Sequence, residues 1–577
     1  MAFKNRKSNY PLYETTKFSN VREMVENVAN KYPDRYALSY KKNPNGKEVL
    51  HYTFEEGRQY VRNLATELIA MGMRDKNVAL IGEASPEWVF SYFALMSIGS
   101  VTVPIDKELP AEDVASILNT AECEFCVYSS VIDEKMKEIK ALVPTLNTLV
   151  EWGKVSEGSL SLDALVESGR ERVAAGDNSY YDYELDPDKL ASIVFTSGTT
   201  GKGKGVMLTS RNICSDMEQG MYNFQITYKT LCALPPHHTF GSTVNIIGHY
   251  AQGCEIYISS GLRHIMGELK DFKPSHLVLV PLFVETFYKR ILATAEKTGK
   301  LGGLKFLIGL SNLLRKIGID LRKQLFGKSV LSNFGGELEM IICGGAALNQ
   351  NIIDFFESIG VTVLNGYGIT ECAPLISCNR NEYRKQGSVG LPIIGGHVYI
   401  LDPNENGEGE ICYTGPNVML GYYKNEEATR DAFIELDGKR YFRTGDCGKV
   451  VMEGDDQWIY ITGRYKNLII LSNGKNVYPE EIETDIQGIY GVGEVVVYAG
   501  ETKNGEEVIV AEIFPDSEAL KLRGIEDAQA HFEAGVKEIN KKNVSYKKVE
   551  KVKLRSEEFP KNTSKKITRF KIDKRVD

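Results

Sequence analysis

The chain has 577 residues, more than one hydrophobic core holds, since domains run to about 100–200. Its 42% hydrophobic and 25% charged fractions exclude wholesale disorder. With 69 Lys+Arg against 77 Asp+Glu, the formal charge of -8 gives no general polyanion-binding character and argues against a nucleic-acid partner. From residue 55 onward helix-period and strand-like segments alternate. The pattern predicts a helix over 55–70, a strand over 77–81, a helix over 86–98, a strand over 101–104 and a helix over 111–119. It returns with a strand at 189–195, a helix at 242–251, a strand at 254–258, a helix at 262–270, a strand at 276–280 and a helix at 282–294. It resumes with segments at 338–343, 349–359 and 361–364. Such alternation implies α/β layers with mainly parallel strands. Residues 295–337 read as a basic, glycine-punctuated helical insertion. After about residue 395 turn-rich sequence and short strands at 410–413, 448–452 and 458–461 suggest a β-rich subdomain. Beyond Arg464 the expected elements are a hairpin, a helix near 479–487, strands at 494–499 and 507–514, a helix through 530–541 and a strand at 549–554. The expected organisation is a large multi-layer α/β domain over 1–464 and a small α+β domain over 465–577.

Charge is unevenly placed. Residues 541–577 hold 14 Lys+Arg and 5 Asp+Glu, so a basic tail follows an acidic body. That tail suits phosphates, an anionic membrane or the body itself. The ten cysteines follow no framework spacing, and Cys123-Glu-Phe-Cys126 has no second pair for zinc. A reducing cytoplasm fits this pattern. The basic start lacks an apolar run of the secretory type. The uncharged run from Trp88 to Ile105 reads as a helix turning into a strand rather than a membrane span, which leaves peripheral membrane contact open.

The most informative segment runs from Leu190 to Met207. A strand delivers the chain into Thr196-Ser-Gly-Thr-Thr-Gly-Lys-Gly-Lys-Gly205. Glycines let backbone amides approach phosphate oxygens, hydroxyls add donors, and Lys202 and Lys204 add charge. The spacing from Gly198 is nearly that of a Walker loop, but Gly205 stands where the Mg²⁺-binding Ser or Thr is needed. A nucleotide hydrolase using that loop is therefore the weaker reading.

This loop resembles the signature of the adenylate-forming superfamily, which includes acyl-CoA synthetases, luciferases and peptide-synthetase adenylation domains. Further motifs follow in that superfamily's order: Pro235-Pro-His-His238-Thr-Phe-Gly241, Cys343-Gly-Gly-Ala-Ala-Leu348, Gly366-Tyr-Gly-Ile-Thr-Glu371 and Tyr441-Phe-Arg-Thr-Gly-Asp446. Gly463-Arg-Tyr-Lys466, the segment from Gly474 to Glu483, and Pro560-Lys-Asn-Thr-Ser-Lys-Lys-Ile567-Thr-Arg569 complete the set. The resemblance implies a two-step reaction. A carboxylate attacks the α-phosphorus of ATP to give acyl-adenylate and pyrophosphate, and a thiol then takes the acyl group and releases AMP.

The roles that the resemblance implies fall residue by residue. Thr196, Ser197, Gly198, Thr199, Thr200, Gly201, Lys202 and Lys204 cradle phosphates. Gly344, Gly345, Ala346, Asn365, Gly366, Tyr367, Gly368 and Thr370 line the adenine side. Asp446 accepts from the ribose hydroxyls, which suits a carboxylate, and Arg464 reaches the ribose or the phosphates. Glu371, with Thr196, is the expected Mg²⁺ ligand. His238 gates the acyl tunnel, and Lys466 is the hinge on which a mobile C-terminal domain swings. Lys566 is the expected catalytic lysine, seven residues on from Pro560. Lys565 stands where the superfamily has glycine, which changes the loop's backbone freedom.

Amino-acid-activating members of the superfamily place an Asp just after the His238 position to bind the substrate amine. The segment from Phe240 to Ile247 has no carboxylate, so the resemblance argues against amino acids. Leu277 to Ile291, the 295–337 insertion and Tyr10-Pro-Leu-Tyr-Glu resemble long-chain fatty acyl-CoA synthetases. A medium- to long-chain fatty acid is the expected substrate, with aryl or short acids as alternatives. Coenzyme A is the expected thiol and an acyl carrier protein the other acceptor. A catalytically silent nucleotide- or lipid-binding homologue is disfavoured by the presence of Glu371, Asp446, Arg464 and Lys566. The sequence carries no signal of oligomeric state.

Overall fold

The computed structural model describes residues 13–196, 203–226, 228–471, 476–502, 507–561, 567–569 and 572–576. Among these, two large sheets dominate. One has eight strands, with Val101–Ile105, Asn77–Ile81, Phe125–Ser129 and Thr148–Trp152 adjacent and parallel. Leu190–Thr196 joins them parallel to Val101–Ile105. The other has nine strands, and its parallel centre runs through Glu255–Ile258, Lys229–Cys232, His276–Leu279, Met340–Cys343 and Thr362–Gly368.

Side-chain alternation along these strands decides the layering. Val78 and Leu80 of the first sheet share one core with Cys232, Val278, Ile342 and Leu364 of the second. Helices Phe54–Ala70, Pro86–Ser97 and Ser210–Met221 contribute to that core. The neighbours Ala79, Ile81, Val103 and Tyr128 face a separate cluster with Ala111–Thr120 and Asp133–Leu142. Leu231, Leu277, Ile341 and Val363 face a third with Pro281–Lys297 and Gln350–Ile359. Both faces of each sheet are covered, which is why these strands read as continuous apolar runs. Each fully buried Val, Leu or Ile contributes about 1.5–3 kcal/mol.

Local signals set the helix ends. Thr53 and Glu56 form a reciprocal capping box before Phe54–Ala70. Ser85 caps Pro86–Ser97, whose first residue is the proline that a first helical turn tolerates. The uncharged run from Trp88 divides into that helix and the strand Val101–Ile105. Among the described residues no helix is long and apolar enough to cross a membrane. All ten cysteines are free and buried. Burial pushes the Cys123 thiol up to about 12 and the Cys126 thiol well above its ordinary value, so neither is a ready thiolate.

A five-stranded antiparallel sheet follows, built on Gly409–Thr414, Lys439–Glu453 and Asp456–Arg464. Beyond it, Val492–Thr502 and Glu507–Pro515 form an antiparallel pair, with Lys551–Leu554 parallel to the latter. Ile482, Ile486, Val495, Ile509, Phe532 and Val536 make a core of their own. The basic tail is engaged largely within this unit. Lys547 pairs with Glu481 at 2.6 Å, Arg555 with Glu512 at 2.9 Å and Arg569 with Glu483 at 2.5 Å, and Lys561 pairs with Glu494.

Candidate active site

In parallel α/β sheets ligands bind beyond the carboxyl ends of strands, and the sequence motifs fall there. Asp106 follows Val101–Ile105, Thr196 ends Leu190–Thr196, and the His237–His238 pair follows Lys229–Cys232. Gly344 follows Met340–Cys343, and Glu371 follows Thr362–Gly368.

On the phosphate-loop side, Leu190–Thr196 turns back into the antiparallel strand Lys204–Thr209, with Thr196 opposite Lys204. The Thr196 hydroxyl donates to the Lys204 carbonyl at 3.4 Å. The loop residues Ser197, Gly198, Thr199, Thr200, Gly201 and Lys202 lie outside the described residues. The Lys204 ammonium sits 4.7 Å from the centre of the Tyr422 ring, and the Tyr422 hydroxyl donates to Glu371 Oε1 at 2.9 Å. Burial, and then the Glu371 carboxylate, push the Tyr422 phenol above its ordinary value, so it stays a donor. Tyr422 thus ties the phosphate-loop strand to Glu371.

Glu371 itself rides on a short 3-10 turn, Thr370–Cys372, held from behind. The Asn417 amide donates to the carbonyls of Cys372 at 2.6 Å and Leu375 at 2.7 Å, and to Asp216 Oδ1 at 2.9 Å. Asp216 Oδ1 also accepts from the Leu375 amide at 3.0 Å. Asn417 and Asp216 are fully buried. Burial pushes the Asp216 carboxyl well above its ordinary value, against the pull of those two hydrogen bonds.

At the Asp446 end of the site, the Tyr367 hydroxyl donates to Asp446 Oδ2 at 2.7 Å, and Arg464 Nε meets Asp446 Oδ1 at 3.0 Å. Asp446 and Arg464 stand directly opposite each other on Lys439–Glu453 and Asp456–Arg464. The Asp446 side chain is only 6% exposed while Arg464 is 57% exposed, so the guanidinium covers the carboxylate from solvent. Burial, and then Asp446, push the Tyr367 phenol well above its ordinary value. Asn365 pairs with Cys343 across parallel strands. A Cβ built on Gly344 would lie 3.3 Å from the Phe240 ring and 3.4 Å from the Gly366 carbonyl, so these three meet at one point. Gly345 and Ala346 are exposed beside it, and Gly368 and Thr370 are half-buried.

His238 begins the turn into a buried helix, its carbonyl accepting from the amides of Gly241 at 2.8 Å and Ser242 at 2.9 Å. The expected helix over 242–251 is a π-helix over Phe240–Gly248 followed by a short α-turn. His237 faces Asp106 at 3.6 Å and lies 4.3 Å from the His238 ring. Burial, and then His238, pull the His237 imidazole down to about 3, so a neutral ring meets the carboxylate. A cavity of about 480 Å³ bordered by Lys107, Ser130, Asp133 and Lys135 opens beyond the ends of Val101–Ile105 and Phe125–Ser129.

In the C-terminal unit, Lys466 is exposed on the 3-10 turn Tyr465–Asn467, directly after Asp456–Arg464. Lys565 and Lys566 lie outside the described residues. Their flanks are anchored: Lys561 bridges Ile567, and Arg569 pairs with Glu483. The structure therefore joins Lys204 to Glu371 and Tyr367 to Asp446 and Arg464. Tyr422, Asn417, Asp216 and His237 were not picked out from sequence. His237 lies inside the Pro235–Gly241 motif but was passed over for its neighbour His238. The other three are lone side chains in unpatterned stretches, and all four act through a partner far away in the chain.

The chain matches the AMP-binding enzyme family over residues 25–423. It is 27% identical to a long-chain-fatty-acid–CoA ligase of Mycobacterium bovis, over 91% of this chain and 90% of that protein. It is also 27% identical to a chloroplastic long-chain-fatty-acid–[acyl-carrier-protein] ligase of Arabidopsis thaliana, over 88% of this chain and 80% of that protein. Among solved structures it shares its fold with an anthranilate CoA ligase in complex with anthranoyl-AMP. The TM-score there is 0.74 at 20% identity, covering 98% of both chains. The family match alone spans more than half of the sequence, and the chain belongs to the AMP-binding enzyme family.

Proposed function

We propose that the chain is an AMP-forming acid–thiol ligase that activates a medium- to long-chain fatty acid with ATP and passes the acyl group to coenzyme A. One observation carries this reading. The segment Gly366–Glu371 reaches a nucleoside-type carboxylate, Asp446, through Tyr367, and the phosphate-loop strand through Glu371 and Tyr422. One rigid stretch of chain thereby spans the two ends of a nucleotide.

In this reading Asp446 accepts from the ribose and Lys204 stands beside the phosphates. Phosphoryl-centre chemistry is mainly positioning and charge stabilisation, and Lys566 supplies the further positive charge at the α-phosphorus. Among the described residues no group of three His, Cys, Asp or Glu side chains is arranged to hold a metal ion. Mg²⁺ takes one or two carboxylates plus phosphates and waters. Glu371, with the Thr196 hydroxyl, would hold it, and the bound ion would neutralise phosphate charge. The π-helix beside His238 carries no carboxylate, which supports an acid without an amine. Coenzyme A as the acceptor is supported by the Mycobacterium bovis relative. A carrier-protein acceptor is the second reading, supported by the Arabidopsis relative.

The test is pyrophosphate release from ATP and Mg²⁺ over a panel of fatty, aryl and amino acids, with coenzyme A or holo acyl carrier protein as acceptor. The expected result is release that depends on a fatty acid, followed by thioester formation on coenzyme A. No acid-dependent release from any panel member would refute the ligase reading. Lys566→Ala should abolish adenylation while largely sparing thioester formation from supplied acyl-adenylate.

A further inference from the structure

The helix Leu301–Lys316 in the 295–337 insertion has two apolar faces, and only one of them is covered. Leu304 and Ser311 are buried on the inner side, with Leu307 and Ile308 packed against the same core. On the opposite side Gly302, Phe306, Gly309, Leu313 and Ile317 succeed one another at steps of three and four residues, which makes one stripe on a helix surface. Phe306 is 70% exposed, Leu313 60% and Ile317 70%. A Cβ added at Gly302 or Gly309 would meet nothing within 4 Å, so no neighbouring element covers the stripe.

Charge decides what such a face suits. Residues 297–328 contain eight Lys and Arg and a single acidic residue, in a chain whose formal charge is -8. Lys297, Lys300, Lys305, Lys316 and Lys328 are all exposed, and none pairs with a carboxylate among the described residues. Lys305 and Lys316 flank the stripe on the same side, placing ammonium groups beside Phe306, Leu313 and Ile317. A second copy of the chain would bring like charges together there. An anionic lipid surface meets both features: the acyl boundary takes the apolar stripe, and the headgroups take the lysines.

We propose that the helix Leu301–Lys316 is an interfacial membrane-docking element that seats the protein on anionic lipid. This does not depend on which acid is activated, and its test uses neither ATP nor acid, so it stands or falls apart from the ligase reading. The full-length protein is floated with phosphatidylcholine vesicles and with vesicles holding about 30% phosphatidylglycerol. Expected is binding to the anionic vesicles, weakened as NaCl rises from about 0.1 to 0.5 M. The pair F306S and L313S together should lower the apparent affinity about tenfold or more. Lys305→Glu with Lys316→Glu should abolish the anionic preference. Unchanged melting temperature and unchanged turnover of a soluble acid show that these variants are folded. No binding by the wild type, or binding unaltered in folded variants, would overturn the proposal. So would a wild-type dimer in light scattering that F306S and L313S dissolve, because the face would then be a self-association surface.

Discussion

Asp216 shows how a residue far from the chemistry positions it. One oxygen of this fully buried carboxyl accepts from Leu375 and Asn417, and the other has no partner. Unfolded, an Asp titrates at about 3.9; folded, burial holds Asp216 well above that. A carboxyl whose folded value is raised contributes stability that is fully present below about pH 4 and lost as pH rises through the folded value. Asn at this position keeps the accepting oxygen and carries no charge. Asp216→Asn should therefore flatten the dependence of Tm on pH, with its advantage over wild type widening toward alkaline pH. Parallel Tm curves for the two proteins between about pH 5 and 9 would show that Asp216 does not titrate differently on folding.

At the scale of elements, part of the parallel sheet framework was legible, because buried parallel strands and amphipathic helices carry distinct periods. Asn77–Ile81, Val101–Ile105 and Pro479–Gln487 match their expected spans within a residue. Several elements, among them Val21–Lys31, Ser210–Met221 and Lys229–Cys232, carried no expectation, and two others were legible only in part. Lys439–Glu453 was expected only over 448–452, because Arg-Thr-Gly-Asp reads as a turn and Gly445 indeed has φ +70 within the strand. The π-helix Phe240–Gly248 was expected as an ordinary helix, because a run buried on all sides has no polar face to reveal its pitch. The candidate site follows the same logic. Glu371 and Asp446 sit in recognisable motifs, whereas Tyr422 and Asn417 act only through contacts that folding creates.

The π-helix also explains a glycine within its motif. A Cβ on Gly241 would lie 2.1 Å from the Pro235 carbonyl oxygen, a backbone atom that cannot swing aside. A Cβ on Gly248 would meet the ends of Met217 and Met221, which can move. Gly241→Ala should cost about 1–3 kcal/mol and Gly248→Ala clearly less, read from urea unfolding at constant m. Because His238 is fixed by the same turn, Gly241→Ala should also raise KM for the acid. Equal destabilisation by both substitutions would remove the special role of that close approach.

At the scale of the whole molecule, polar contacts among the described residues join the C-terminal unit to the body. Asn349 Nδ2 donates to the Thr484 carbonyl at 2.8 Å, Lys289 to the Val492 carbonyl at 3.2 Å, and Arg523 pairs with Glu296 at 3.1 Å. Polar contacts of this kind permit relative motion of neighbouring units, as the swing about Lys466 implied by the superfamily resemblance requires. The junction gives that motion a testable location. Arg464 is extended at φ -105 and ψ 135, the conformation a following proline prefers, and Tyr465 opens the 3-10 turn that contains Lys466. Tyr465→Pro should fit the backbone as it stands while fixing one dihedral that a swing would have to change. The expected outcome is an unaltered melting temperature, with pyrophosphate release and thioester formation slowed by different factors when each half-reaction is timed alone. If both half-reactions keep their wild-type rates, the rotation does not pass through Tyr465. If both fall equally, the substitution has disturbed the Asp446–Arg464 pair one residue away, and Asp446→Asn in the same assays would reproduce that pattern.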